Sequence, residues 1–110
     1  MSTASAFDLA TLAATIAERA KADPSRSYTA KLAHKGQAHC ARKFGEEAVE
    51  AIVAAVEGDA EGLRAEAADV LYHLLVLLEV AGVSYQDVVA ELANRTGQTG
   101  LEEKAARTPS

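Results

Sequence analysis

The sequence predicts an all-α fold, and three observations carry that reading. Ala, the strongest helix former, fills 25 of the 110 positions. Apolar residues recur every three or four positions, and no segment alternates with the period of two that a half-buried strand requires. Pro occurs only twice, and the β-favouring aromatics amount to three Tyr and two Phe with no Trp.

The elements follow in order. Ser5-Ala6-Phe7-Asp8 has the form of a capping box, and Leu9, Leu12, Ile16 and Ala20 then mark one face of a first helix that ends by Asp23-Pro24-Ser25. The polar run Arg26-Ser27-Tyr28-Thr29 leads into a second helical segment from about Ala30 to Glu57, which Gly36 can interrupt. Gly58-Asp59 is the next break. A third helix is expected from about Ala60 to Ala81, with Gly82 where a C-terminal capping glycine belongs. Ser84-Tyr85-Gln86-Asp87 repeats the capping-box pattern and opens a last helix carrying Val88, Val89 and Leu92. Gly97 and Gly100 lead into a polar tail. The chain is therefore read as one domain, residues 1–110, with 97–110 a flexible tail.

A net charge of −5, from 11 Lys+Arg against 16 Asp+Glu, argues against general nucleic-acid binding, which draws its affinity from a basic surface. The single Cys40 excludes an internal disulfide. No basic residue precedes Arg19, so the start lacks the charged region of a secretion signal. The most apolar run, Val70 to Val80, is interrupted by His73 and Glu79 and is about half of a membrane span. A cytoplasmic protein with neither membrane nor nucleic acid as partner is the expectation.

The charges are segregated. Seven of the eleven basic residues lie between Arg19 and Lys43, whereas Phe44 to Tyr72 holds eight acids and one base, Arg64. Within the acidic stretch, Glu47 and Glu50 on the second segment and Glu66 and Asp69 on the third form two i, i+3 pairs, with Glu46 beside the first. Taking Glu47 as zero at 100° per residue, Cys40, Phe44, Ala48, Ala51 and Ala55 fall within roughly 20° to 100°. The same construction from Glu66 places Leu63, Ala67, Val70, Leu74 and Leu77 in the same arc. Both acidic pairs thus border the face expected to pack inward. Two carboxylates ~5 Å apart at an effective dielectric of ~20 repel by about 3 kcal/mol, so four converging on one seam call for protons or a cation. Oxygen-only ligands suit Mg²⁺ or Mn²⁺. The bland alternative is solvated acids paired with Arg42, Lys43 or Arg64. A di-iron bundle fits poorly, because it requires Glu-x-x-His and His73 stands four residues beyond Asp69.

The blocks Ser27-Tyr28-Thr29-Ala30-Lys31-Leu32, Lys43-Phe44-Gly45-Glu46-Glu47-Ala48-Val49-Glu50 and Glu66-Ala67-Ala68-Asp69-Val70-Leu71-Tyr72-His73-Leu74-Leu75 resemble the phosphoribosyl-ATP pyrophosphohydrolase family. That family belongs to the MazG-like all-α nucleotide pyrophosphohydrolases, and the resemblance spans about Leu9 to Arg107. It implies a MazG-like bundle of four to five helices and Mg²⁺-dependent hydrolysis of phosphoribosyl-ATP to phosphoribosyl-AMP and pyrophosphate, the second step of histidine biosynthesis. Glu47, Glu50, Glu66 and Asp69 match the group's metal-ligand positions, and Glu46 its additional acid. Glu46 or Glu50 would then serve as general base. Lys31 and Lys35, sharing a helix face, become candidate phosphate ligands together with the hydroxyls of Ser27, Tyr28 and Thr29. The alternative for these is a solvated Lys pair and an N-cap. Lys43 reads equally as phosphate ligand or as partner of the acids. Tyr72 and His73 could touch base or ribose, and Arg95 could reach phosphate or simply suit a helix C-terminus. Cys40 is expected in the core, and His34 and His39 at the surface.

Two other functions compete: a house-cleaning nucleotide pyrophosphohydrolase with the same metal site, and a non-catalytic helical dimerisation module. Dimerisation itself is expected on separate grounds. Val49, Val53 and Val56 lie opposite the Ala-rich arc, and Leu71, Leu75, Val76 and Val80 make the third helix apolar almost all round. Four short helices in one monomer cannot bury two such helices, so a homodimer is expected to supply the missing core.

Overall fold

The structure, a computed structural model, describes residues 6–97. These form five helices: α1 (Leu9–Arg19), α2 (Tyr28–Lys35), α3 (Gln37–Val56), α4 (Ala60–Ala81) and α5 (Tyr85–Thr96). No strand occurs among the described residues, as an Ala-rich sequence without period-two segments requires.

The helix boundaries follow from local chemistry. Asp8 caps α1: its carboxylate accepts from the Thr11 backbone N–H at 2.8 Å and from the Thr11 hydroxyl at 2.8 Å. Ser5 lies outside the described residues. The helix stops at Arg19, ahead of Asp23-Pro24, because Lys21 and Ala22 already turn onto Glu18 and Arg19 with i→i−3 bonds. Ser27 caps α2 through the Ala30 N–H, so Tyr28 and Thr29 belong to the helix instead of preceding it. Gly36 divides the second segment outright: its φ of 97° is open to glycine and closed to most other residues. Asp59 caps α4 at the Gly62 N–H, Gly82 ends it in the left-handed conformation, and Ser84 caps α5.

The most extensively packed pair is α3 with α4, a hairpin folded about Gly58. Across their seam Glu47 of α3 approaches Glu66 and Asp69 of α4. At the end away from the turn, α1 and α2 close over the hairpin. The core sits there: Ile16, Leu32, Cys40, Leu75 and Val76 are buried in one cluster, with Leu12, Leu77, Leu78 and Tyr72 packed on it. Each fully buried aliphatic side chain of this kind contributes about 1.5–3 kcal/mol.

The predicted inward arcs need correction. Ala55 and Leu63 are exposed, while Ala54, His73, Leu75 and Val76 are buried. On a helix apolar nearly all round, the wheel has no strong phase, and the tertiary neighbours select the buried face. Toward the turn the hairpin has no cover. Val49, Ile52, Val53 and Val56 form an exposed i, i+3, i+4, i+7 stripe on α3, Val56 retaining 82% of its accessible surface. Leu71 is exposed on α4 as well. Among the described residues no single helix is long and apolar enough to cross a membrane; α4 and α5 together reach that composition but meet at 115°.

Candidate functional site

Midway along the hairpin the two acidic pairs meet. One carboxylate oxygen each from Glu47, Glu66 and Asp69 lies within 4.8 Å of the others, close enough to share a cation. The i, i+3 spacing puts each pair on one face of its helix, and the packing of α3 on α4 brings the two faces together. The seam leaves Glu66 in an unfavourable position. Its Oε1 is out of contact with solvent and has no hydrogen-bond partner. Loss of solvent first, then the neighbouring Glu50, Asp69 and Glu47, holds its pKa above the ordinary carboxylate value. Glu50 therefore belongs beside Glu66 but outside the three-oxygen group, and it is exposed.

A buried, partnerless carboxylate oxygen faced by two other acids is what a cation ligand looks like before the cation binds. The donors are all hard oxygens, so the residues fit Mg²⁺ or Mn²⁺ and fit Zn²⁺ poorly. His73 does not enter the group.

Lys43 spans the edge of the cluster. Its Nζ lies 3.5 Å from Glu46 and 3.7 Å from Glu47. Partial desolvation pulls its pKa down, but Tyr28, Glu46 and Glu47 more than offset this and hold the ammonium above its ordinary value. Lys43 is thus placed within reach of the acids, and both readings given for it from sequence stay open. Glu46 is tied into this pair and is largely exposed.

One turn further along α4, an aromatic group adjoins the acids. Tyr72 and His73 meet edge to face at 5.0 Å, and Tyr28 stacks on Tyr72 at 6.4 Å and 18°. The Tyr72 and Thr29 hydroxyls share a 2.6 Å hydrogen bond, which secures α2 to α4. Burial raises the Tyr72 pKa despite that bond. Burial also lowers the pKa of His73, which is 6% exposed, against the opposing pull of Glu47 and Asp69. His73 is thus an interior imidazole held toward its neutral form. Beyond Tyr72 a cavity of about 420 Å³ opens, lined by Arg19, Ala22, Arg26, Ser27, Tyr28, Thr29 and Tyr72.

Other candidates are not gathered in. Lys31 and Lys35 are exposed on α2 and take no part in that lining. Arg95 is paired with Glu91 at 3.0 Å on α5, which packs on α1 and α4 and does not touch α3. Cys40 is a core residue as expected, 1% exposed, its thiol directed at the Leu32 carbonyl at 3.3 Å. His34 is exposed and His39 half-buried. Arg19 and Arg26, by contrast, were not among the expected site residues. Arg26 adjoins Ser27 in sequence and could have been included; only the folding of α1 onto α4 brings Arg19 to Tyr72.

A helical hairpin that gathers carboxylates at its seam, with hydroxyls, aromatics and arginines alongside, has the donor set that an all-α phosphate-anhydride hydrolase needs, and the similar proteins are of that class. Residues 9–96 match the family model described as phosphoribosyl-ATP pyrophosphohydrolase. Proteins named phosphoribosyl-ATP pyrophosphatase are similar over nearly the whole chain. The one from Methylobacterium radiotolerans is 61% identical over 105 residues, covering 96% of this chain and 98% of that protein. That from Agrobacterium fabrum is 58% identical over 103 residues, 94% and 96% of the two chains. That from Ruegeria pomeroyi is 60% identical over 96 residues, 87% and 91%. The chain belongs to the phosphoribosyl-ATP pyrophosphohydrolase family.

Proposed function

We propose that this chain hydrolyses phosphoribosyl-ATP to phosphoribosyl-AMP and pyrophosphate, in the cytoplasm, as the second step of histidine biosynthesis, with Mg²⁺ (or Mn²⁺ in its place) as cofactor. The observation that carries the reading is the Glu47, Glu66 and Asp69 oxygen group with the partnerless Glu66 Oε1 inside it. Glu47, Glu66 and Asp69 would hold the cation, with Glu50 at its edge. Bound there, it would neutralise charge on the triphosphate oxygens and favour attack at the α-phosphorus.

The protein's own groups complete the chemistry. A water oxygen bonds to the α-phosphorus as the bond to the bridging oxygen of the β-phosphate breaks, and pyrophosphate leaves. A carboxylate takes the proton from that water. Glu50, exposed and without an ion pair among the described residues, is better placed for this than Glu46, which Lys43 holds. Tyr28 and Tyr72 offer ring faces and edges for the purine and ribose, with the buried His73 packed against both, and Ser27 and Thr29 offer hydroxyls. Lys31, Lys35 and Arg95 lie farther out and serve at most the outer phosphates.

A homodimer completes this reading. A second copy seated on Val49, Ile52, Val53 and Val56 would cover the bare stripe beside the acids. Sedimentation at micromolar concentration is expected to give a dimer; a monomer contradicts it.

Substrate comparison tests the function. Turnover of phosphoribosyl-ATP is expected to exceed that of dUTP, dCTP and ATP by orders of magnitude, and the chain is expected to rescue a histidine auxotroph lacking this step. Comparable rates on all four would replace the reading with a house-cleaning pyrophosphohydrolase. No turnover and no cation binding would leave a helical dimerisation module.

A further inference from the structure

We propose that the cavity between α1, the start of α2 and Tyr72 is the subsite for the phosphomonoester of the substrate's second ribose, and that Arg19 and Arg26 set specificity by binding it. The inference rests on the substrate reading above and deepens it.

The cavity's lining has one sign of charge. Arg19, Arg26 and the hydroxyl-bearing residues Ser27, Tyr28, Thr29 and Tyr72 line about 420 Å³, and among the described residues no Asp or Glu does. Among the described residues neither Arg19 nor Arg26 has an acid within ion-pair distance. The nearby Asp23 carboxylate is engaged with the Ser25 N–H at 3.0 Å. Ala22 on the wall leaves the cavity open. The space is within the ~300–1,000 Å³ of small-molecule sites. Guanidinium groups match phosphate oxygens in geometry as well as charge.

Position then selects which anion. Tyr72 stands three residues beyond Asp69 on α4, a rise of ~4.5 Å along the helix. A ligand whose polyphosphate lies at the acids and whose base lies against Tyr28 and Tyr72 therefore extends into this cavity. Phosphoribosyl-ATP carries anions at two ends of one purine: a triphosphate on one ribose and a monophosphate on the other. Ordinary nucleoside triphosphates have only the first. A cation site at one end and an arginine cavity at the other correspond to the doubly anionic substrate and leave half the site unused by ATP. Lys31 and Lys35, which the sequence alone favoured for phosphate, lie outside this lining.

Steady-state kinetics on the full chain and on Arg19→Ala and Arg26→Ala, with phosphoribosyl-ATP and ATP as substrates, tests the assignment. Loss of one charge-assisted contact is expected to raise KM for phosphoribosyl-ATP by roughly 10- to 100-fold, with kcat nearly kept. The preference over ATP should collapse by a similar factor. Arg19→Lys and Arg26→Lys should fall in between. A binding readout independent of turnover is the affinity for phosphoribosyl-AMP against AMP, measured by calorimetry; the variants should lose the difference between the two ligands. Equal losses on ATP and phosphoribosyl-ATP, or no loss on either, would overturn the subsite. Failure of the substrate reading is separately visible, since the parent chain itself would then show no preference for phosphoribosyl-ATP.

Discussion

The two ends of the α3–α4 hairpin are built from the same helices by opposite rules. Around Cys40, Leu75 and Val76 the interior is apolar and closed, capped by Ile16 and Leu32, and its one thiol points at a carbonyl. Two turns closer to Gly58 the seam is acidic and partly open, and an oxygen of Glu66 is buried without a partner. The first end supplies the stability that lets the second persist. An arrangement in which Glu47, Glu66 and Asp69 crowd together costs free energy in the empty protein, and persists because the packed end holds the helix register. The packed core and the proposed cation site thus occupy successive turns of one helix pair.

Substitutions should separate the two ends, and the largest effect belongs to the acids. Glu66→Gln, Glu47→Gln or Asp69→Asn should each lower turnover by on the order of 10³-fold, as loss of a principal electrostatic stabiliser does. Circular dichroism should find helicity intact, and the thermal midpoint of Glu66→Gln should equal or exceed that of the parent without metal. Retained activity in any of the three would remove that residue from the cation's ligands. At the packed end, Leu75→Ala should cost about 2–5 kcal/mol in urea unfolding while the folded fraction keeps its kcat. Disproportionate loss of kcat would mean that the two ends are not separable.

Tyr72→Phe lies at the border and should show both effects in small measure. It strands the Thr29 hydroxyl, which is 5% exposed, at a cost of about 1–3 kcal/mol. Its kcat/KM should fall only several-fold.

The smallest expected effect is a dependence on pH. The Glu66 pKa is raised in the folded state, so the folded chain binds more protons than the unfolded chain between the ordinary carboxylate value and the raised one. Stability without metal should therefore decline as pH rises through that window, and saturating Mg²⁺ should abolish the decline. A stability that rises through the same window would contradict the crowding described for Glu66.

Much of this was legible in the residues. The i, i+3 spacing of Glu47 with Glu50 and of Glu66 with Asp69 announces two acidic faces, and the Ser27, Asp59 and Ser84 caps with Gly82 mark element ends within a residue or two. Their convergence on one seam was expected as well, from the apolar arcs that both pairs border. Burial of His73 over Leu63 did not follow, because α4 is apolar on nearly every side and only its neighbours choose a face. Nor did the placement of Arg19 beside Tyr72, which depends on α1 packing on α4 some fifty residues away in sequence. The displacement of Glu50 from the three-oxygen group reflects side-chain placement finer than helical phase can resolve.

The central claim is that the acidic end is a cation site serving anhydride hydrolysis. The most direct measurement is pyrophosphate release from phosphoribosyl-ATP by protein stripped with chelator, followed during titration with Mg²⁺. The account predicts negligible release before the titration and full recovery on saturation, with Glu66→Gln unresponsive. Undiminished release in excess chelator would contradict it.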